Sequence, residues 1–367
     1  MQVPFVDLKL QYERLHNDID LAIQSVINET AFISGKYAKQ FEAEFANYLG
    51  IKHVVSCANG TDSLELLLQA FGIGKGDEVI VPANSWISTS ECVTTVGAKV
   101  VFVDSKPDTY TIDTNLIETK ITPNTKAIIP VHLYGCPADM DEIMAISKKY
   151  NLIIIEDCAQ AHGAKYKGKT IGTIGHASSF SFYPGKNLGA YGDAGGMATN
   201  IDDIATKVRM MANHGRLGKH DHGIEGRNSR LDGIQASILS AKLPHLESWT
   251  EARIHNAQLY HKYLAELGLQ LPFAPLETRH VFHLYVIKVD NRAYVQEKLL
   301  SKGIETGIHY PIALPLLKAY AHFGYMAKDF PIASGQMNQL LSLPMYAELT
   351  EEQIAYVCSN LVEAIQQ

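Results

Sequence analysis

Five short apolar runs rich in branched residues lie between residues 53 and 157, each followed by a stretch long enough for a helix. They are His53–Ala58, Glu78–Pro82, Lys99–Asp104, Thr125–Val131 and Leu152–Asp157, the last being the most apolar. Successive strand side chains point to opposite faces, so a run that is apolar at every position must be covered on both sides. Helical crossovers between such runs dictate a mainly parallel sheet, an α/β fold. In sheets of this kind ligands collect beyond the carboxyl ends of the strands. That rule directs attention to Asp157 and to the residues after each strand.

The periodicity predicts helices over 8–30, about 41–49, 63–71, 87–96, 116–121 and 141–150 in the first half. Beyond them it predicts a strand of alternating serines and aromatics from Ser178, a strand over 196–199, and helices at 201–211, 231–243 and 246–267. A strand at 283–289 and helices at 293–302 and 350–365 follow. A chain of 367 residues accommodates two domains. We expect a large domain over 1–245, with a helical arm over 1–50, and a smaller C-terminal α/β domain over 246–367.

Composition narrows the function classes. The formal net charge is -7 and no basic run occurs, which argues against nucleic acid as a partner. No apolar stretch approaches 18 residues and no signal-type leader is read, so no membrane association is expected. The five cysteines are scattered without a CxxC, which favours reduced thiols and a cytoplasmic location.

The most informative segment is Ser181-Phe-Tyr-Pro-Gly-Lys186-Asn-Leu-Gly189, where a strand runs into a turn too rich in glycine to continue as a helix. Small residues around Lys186 let another molecule approach, which suits a Schiff-base lysine; a surface-loop lysine is the plain alternative. Asp157 closes the most apolar strand. A carboxylate there needs a partner, either a loop that it caps or a protonated ring nitrogen that it holds as an electron sink. Gln160 stands three residues on. Gly60-Thr61-Asp62-Ser63 opens a helix after a strand, which makes an anion site or a plain N-cap. Ser181 could add a hydroxyl to the same anion. Trp86 follows another strand end, as a stacking ring or a core aromatic.

Two other patterns carry less. Gly163-Ala-Lys-Tyr-Lys-Gly168-Lys169-Thr170 fits G-x4-G-K-T, but the glycines and branched residues of 171–175 predict a hairpin rather than the helix a phosphate loop requires. His214, His220 and His222 lack a cysteine or carboxylate set at ligand spacing, so no metal is expected. Together the main features call for one ligand with a phosphate, an aromatic ring, a basic ring nitrogen and a carbonyl. Pyridoxal 5'-phosphate meets all four requirements.

Longer motifs then bear a family resemblance. Val3-Pro-Phe-Val-Asp-Leu8, Ala58-Asn-Gly-Thr-Asp-Ser63, Glu156-Asp-Cys-Ala-Gln160, the Lys186 segment, Asn228-Ser-Arg-Leu-Asp232 and Gly307-Ile-His-Tyr-Pro311 occur in the order seen in the DegT/DnrJ/EryC1/StrS sugar aminotransferases. The resemblance runs essentially end to end. It implies a fold-type I, aspartate aminotransferase-like architecture with a mainly parallel seven-stranded sheet and a smaller C-terminal domain. It also implies Lys186 as the Schiff-base lysine, Asp157 as the partner of the ring nitrogen and Gln160 beside the ring hydroxyl. Gly60, Thr61 and Ser181 match the phosphate cradle, and Trp86 the stacking ring. Asn228 matches a residue reaching the phosphate from a neighbouring subunit, which implies a homodimer with shared sites. Ala194 departs from the family's usual Gly-Asp-Gly-Gly run, a small change in size.

Lysine rather than histidine at 186 favours transamination over sugar dehydration. The resemblance implies L-glutamate as amino donor and a nucleotide-linked keto sugar as acceptor, at C3 rather than C4, in O-antigen, capsule or other unusual-sugar synthesis. His309, Tyr310, Tyr183 and Phe32 are candidate substrate residues, with Arg216 and Lys219 as weaker ones. A non-catalytic regulator binding the same cofactor would require a DNA-binding segment, and none is read here.

Overall fold

The structure, a computed structural model, describes residues 1–366. Its strands are β1 (His53–Cys57), β2 (Glu78–Pro82), β3 (Lys99–Val103), β4 (Thr125–Ile128), β5 (Ile153–Asp157), β6 (Lys165–Tyr166), β7 (Lys169–Thr170), β8 (Ala177–Ser181), β9 (Gly195–Thr199), β10 (Thr278–Arg279), β11 (Tyr285–Lys288) and β12 (Leu340–Leu343). The helices are α1 (Leu8–Asn28), α2 (Gly35–Leu49), α3 (Gly60–Ala70), α4 (Ser88–Thr95), α5 (Thr114–Ile117), α6 (Met140–Tyr150), α7 (Asp202–Met211), α8 (Gly233–Lys242), α9 (Leu246–Leu264), α10 (Arg292–Ser301), α11 (Pro331–Gln336) and α12 (Glu351–Ile365).

Seven strands form one sheet in the order β1-β9-β8-β5-β4-β2-β3. The pairs from β3 through to β8 are parallel, and only β9 runs against its two neighbours. The expected mainly parallel sheet is therefore found. Strand alternation divides the core: Ile80, Val101 and Ile154 face a cluster with Phe41 and Phe45 of α2 and Leu239 of α8. Val79, Val100 and Ile155 face another with Leu66 and Leu67 of α3, Val93 of α4 and Val208 of α7. Burying both faces of β5 explains its unbroken apolar run.

A third cluster joins α9, α10, α12 and the pair β11–β12 around Tyr260, Tyr285, Leu341 and Leu361. The chain does not stay there: Leu314, Tyr320 and Phe330 pack back into the cluster on the α3 face of the large sheet. β10 and β12 are not visible in the local pattern, since β10 has two residues and pairs with β6 more than a hundred positions earlier. α3 begins at Gly60 rather than Ser63 because the Asn59 side chain caps it, accepting from the Asp62 amide at 2.8 Å.

The G-x4-G-K-T segment is a hairpin, as expected. β6 and β7 pair antiparallel across Lys167 and Gly168, both at positive φ, the conformation of a tight two-residue turn. The amides after it are committed elsewhere: those of Gly172, Ile174 and Gly175 all donate to the buried Glu156 carboxylate at 2.6–2.8 Å.

Candidate active site

Three chain segments converge at the carboxyl end of the sheet: the turn after β8, the end of β5, and the start of α3. The turn is rigid for identifiable reasons. The Lys186 amide donates to the Tyr183 carbonyl at 2.9 Å, and the Ala190 amide to Phe182 at 2.8 Å. Gly189 allows this closure, since a Cβ there would come within 2.3 Å of the Pro184 oxygen. The buried ammonium of Lys242 donates to the Gly189 carbonyl at 2.8 Å. His283 Nδ1 donates to Asn187 Oδ1 at 3.0 Å, tying the turn to the segment before β11.

Lys186 is half-buried, and its side chain makes no hydrogen bond or ion pair among the described residues. Burial pulls its ammonium down to about 8, while the charge of Asp157 works against that fall. A lysine so placed is poised to lose its proton near neutral pH and act as a nucleophile.

Asp157 is buried, and burial raises its carboxyl above the usual range. Thr89 Oγ1 donates to Oδ2 at 2.8 Å and the Ala159 amide to Oδ1 at 3.2 Å, both opposing the rise along with Lys186. The carboxylate is held in place and incompletely neutralised, a site that suits a cation. Next to it, Gln160 Oε1 accepts from the Tyr134 amide at 2.7 Å, and its Nε2 donates to the Tyr310 hydroxyl at 3.0 Å. The Trp86 and Tyr310 rings lie 5.8 Å apart at 45°. Trp86 is 59% exposed, so it is not a core aromatic.

At the start of α3 the first amides have no intrahelical partner. Thr61 Oγ1 lies 2.6 Å from Ser88 Oγ, and Ser63 bonds to Ser179 of β8. Gly60 sits against Ser181 so closely that a Cβ there would lie 2.8 Å from the Ser181 Cβ. Amides and hydroxyls thus lie together with no room for a side chain, a chemistry that suits an anion. Gly60→Ala is expected to push Ser181 aside and weaken pyridoxal phosphate binding about 10- to 100-fold, the effect of about 1–3 kcal/mol of overpacking. Absorbance titration with the cofactor reads this directly, and affinity equal to the parent's would disprove the cradle.

The structure brings Lys186, Asp157, Gln160, Trp86 and Tyr310 to one sheet end, with Gly60, Thr61 and Ser181 beside them. His309 adjoins: its Nδ1 lies 2.8 Å from Ser342 Oγ, its ring stacks on Phe5, and burial holds it down to about 4. Tyr183, Phe32 and Asn228 are exposed. No hydrogen bond or ring contact links Asn228, Phe32, Arg216 or Lys219 to the Lys186 cluster among the described residues. Arg216 instead donates to the Lys219 carbonyl at 2.5 Å.

Sequence reading missed Thr89, Ser88 and Tyr134, which hold the named residues, and the Asn187–His283 tie. It also missed His162, fully buried two residues after Gln160, with neither ring nitrogen bonded among the described residues. Burial drives that imidazole down to about 3, so it is neutral. His132, Glu156 and Cys158 lie close enough together to suggest a metal. Burial raises the Glu156 carboxyl, but His132 and the hairpin amides outweigh it and hold the group ionised below the usual range. His132 Nδ1 accepts from the Ala138 amide. The Glu156 oxygens are taken up by the hairpin amides and by His132 Nε2, and the Cys158 thiol donates to the Glu156 carbonyl.

The residues present fit pyridoxal phosphate: a lysine amine with no partner among the described residues, a buried carboxylate short of positive charge, and a helix start whose free amides leave no room for a methyl group. Fold and site thus define a pyridoxal-phosphate-dependent transferase, the class in which similar structures are solved with the cofactor in its PLP or PMP form. The chain belongs to the DegT/DnrJ/EryC1/StrS aminotransferase family, whose pattern matches residues 13–362. It is 46% identical to the Pleiotropic regulatory protein of Geobacillus stearothermophilus, over 99% of this chain and 98% of that one. It is 44% identical to UDP-N-acetyl-3-dehydro-alpha-D-glucosamine 3-aminotransferase of Acidithiobacillus ferrooxidans, over 97% and 96%. Among solved structures, DesV of S. venezuelae superposes with a TM-score of 0.97 at 41% identity, covering 100% of this chain and 99% of that one.

Proposed function

We propose that the protein moves the amino group of L-glutamate to C3 of a nucleotide-linked keto sugar. The observation that carries the transaminase reading is Lys186, an unpaired amine lowered to about 8 on a turn fixed at the sheet's carboxyl end. The preference for C3 is supported by the Acidithiobacillus relative, and by three others at 41–42% identity named for 3-amino or 3-oxo sugars.

Pyridoxal phosphate, when bound, supplies a carbonyl that carries nitrogen and a ring that accepts electrons. The chain's residues do the rest. Lys186 would hold the cofactor's carbonyl carbon through Nζ, and its free amine, lowered to about 8, would be the group that takes up and gives back a proton beside it. Asp157, its carboxylate fixed by Thr89 and Ala159, would hold a proton on the ring nitrogen. Gln160 would meet the ring hydroxyl, Trp86 would cover the ring, and Gly60, Thr61 and Ser181 would take the phosphate. Tyr310, with His309, Tyr183 and Phe32, borders the sugar. The division into a large domain over 1–245 and a smaller one over 246–367 belongs to the same reading, supported by the separate core around Tyr260 and Tyr285.

The protein acts as a cytoplasmic homodimer in making an unusual amino sugar for a surface glycan or glycoside; no described helix is long and apolar enough to cross a membrane. The exposure of Asn228 supports a role completed by a second subunit. Mixing inactive Lys186→Ala and Asn228→Ala chains is therefore expected to restore activity, in about one site in four for random pairing. Recovery no greater than the sum of the two separate variants would sink the shared site.

The substrate claim is tested by assaying the purified protein with glutamate against dTDP- and UDP-linked 3-keto and 4-keto sugars. Faster amination of the 3-keto compounds is expected. Faster turnover of 4-keto sugars would reassign the position, and release of water without nitrogen transfer would indicate a dehydratase. Absence of any turnover would favour the regulatory role that the Geobacillus relative's name describes for that protein.

A further inference from the structure

The Lys186 side chain has no partner of its own, so the place of its amine is set by the backbone on either side. The nearest tether is the next residue. Asn187 is buried, its Oδ1 accepts from His283 Nδ1 at 3.0 Å, and its Nδ2 has no partner among the described residues. His283 is in turn held from several sides. Arg253 Nη1 of α9 donates to the carbonyls of Phe282, His283 and Met345 at 3.2, 3.4 and 2.9 Å. The Val281 amide donates to the Gly135 carbonyl at 3.0 Å, and the Leu284 amide to that of Tyr134 at 3.2 Å. Phe282 has a φ of 44°, in the left-handed region, and its amide donates to His280 Nδ1 at 2.9 Å. Gly135 lies so close that a Cβ there would stand 3.0 Å from the His283 amide nitrogen. The corner over 280–284 is thus stitched to Tyr134, whose own amide holds Gln160 Oε1 at 2.7 Å.

We propose that His283 is a positioning residue for amino transfer, one that acts through Asn187 to fix where the Lys186 amine stands relative to Gln160. The same corner reaches both groups, the lysine turn through Asn187 and Gln160 through Tyr134. It adds a brace from outside the large sheet to the one that adjacent strand ends already give. Burial, and after it the charge of Lys186, hold the imidazole well below its ordinary value. It therefore stays neutral with a single N–H, and that N–H is committed to Asn187. Such a brace has a kinetic consequence, because displacing a reacting group by about 1 Å can cost about 100-fold in rate.

The inference rests on Lys186 being the reactive lysine, and two readouts separate the claims. In the cofactor-free protein, amide hydrogen exchange over 183–190 is followed by mass spectrometry. His283→Leu, which keeps the bulk and removes the N–H, is expected to speed exchange there at least about 10-fold and leave the strands of the large sheet unchanged. His283→Asn, whose amide N–H falls near the Nδ1 position, is expected to restore most of the protection. In the holoenzyme, His283→Leu is expected to slow the single-turnover reaction of the lysine-bound band with glutamate about 10- to 100-fold, with the half-saturating glutamate concentration changed less than about threefold. Asn187→Ala should match it, and the double variant should be no slower than the slower single one. Asn187→Ala alone decides if His283→Leu does not fold. Exchange or rate equal to the parent's, exchange raised evenly along the chain, no rescue by His283→Asn, or rate losses that multiply in the double variant would each overturn the proposal. Failure of the parent protein to form the lysine-bound band at all overturns the assignment of Lys186 instead.

Discussion

Replacing Lys186 with alanine is expected to cut amino transfer at least about 10⁴-fold and to abolish the visible band of the lysine-bound cofactor. One side chain serves twice in the proposed reaction, as the group that binds the cofactor and as the one that moves the proton, so no neighbour replaces it. His162, His283 and His309 surround it, but burial holds all three imidazoles well below their ordinary values, and Lys186 itself lowers them further. They are neutral and weakly basic. A variant that kept more than a hundredth of parental turnover, measured in single-turnover assays, would remove Lys186 from the chemistry.

The same lysine leaves a mark on stability. Its folded-state value of about 8 lies below the ordinary 10.5, so the folded state disfavours the charge. Below pH 8 both folded and unfolded chains are protonated and the full cost is present. Between about 8 and 10.5 the folded lysine has lost its proton while the unfolded one has not, so the cost fades as pH rises. Cofactor-free Lys186→Met should therefore be more stable than the cofactor-free parent at pH 7, by about 1–2 kcal/mol after allowing for partial exposure, with the gain shrinking above pH 8. Urea unfolding at pH 7 and pH 10 checks the sign.

The second large effect is expected at Asp157. Asparagine is nearly the same shape: its Oδ1 can still accept from the Ala159 amide, and the Thr89 hydroxyl can turn to accept from its Nδ2, so the fold is preserved. It carries no charge to keep a ring nitrogen protonated. Turnover is expected to fall about 10²- to 10³-fold, the usual scale for losing one preorganised electrostatic contact, with a much smaller change in the KM for glutamate. Thr89→Val, which takes one hydrogen bond from the carboxylate, should have the same sign and a smaller size. Turnover within threefold of the parent in Asp157→Asn would show that the carboxylate only caps its loop.

The sheet was legible because its determinant is local. Burial on both faces turns β5 into an unbroken branched run, and Gly, Pro and Asn mark the turns. The hairpin at 165–170 was legible for the same reason, since 171–175 cannot start a helix. What escaped depends on pairing between distant segments. Thr89 reaches Asp157 across 68 positions, and Asn187 meets His283 across 96. Neither partner is unusual within its own stretch of chain. β12 and the return of Leu314–Phe330 to the large sheet were hidden likewise, because each is fixed by the surface it packs against and not by its own periodicity. The residues proposed to carry the chemistry stood out where they break a pattern, as a carboxylate ending an apolar strand or a lysine among glycines. The residues that orient them break none.

The measurement that bears most directly on the central claim uses ¹⁵N-labelled L-glutamate with holoenzyme and a UDP- or dTDP-linked 3-keto sugar, the product being examined by NMR. The account predicts ¹⁵N bonded to C3 of the sugar, formed by the parent protein and absent with Lys186→Ala. Label at C4 with a 4-keto sugar and none at C3, or a product that has lost water and gained no nitrogen, would contradict it.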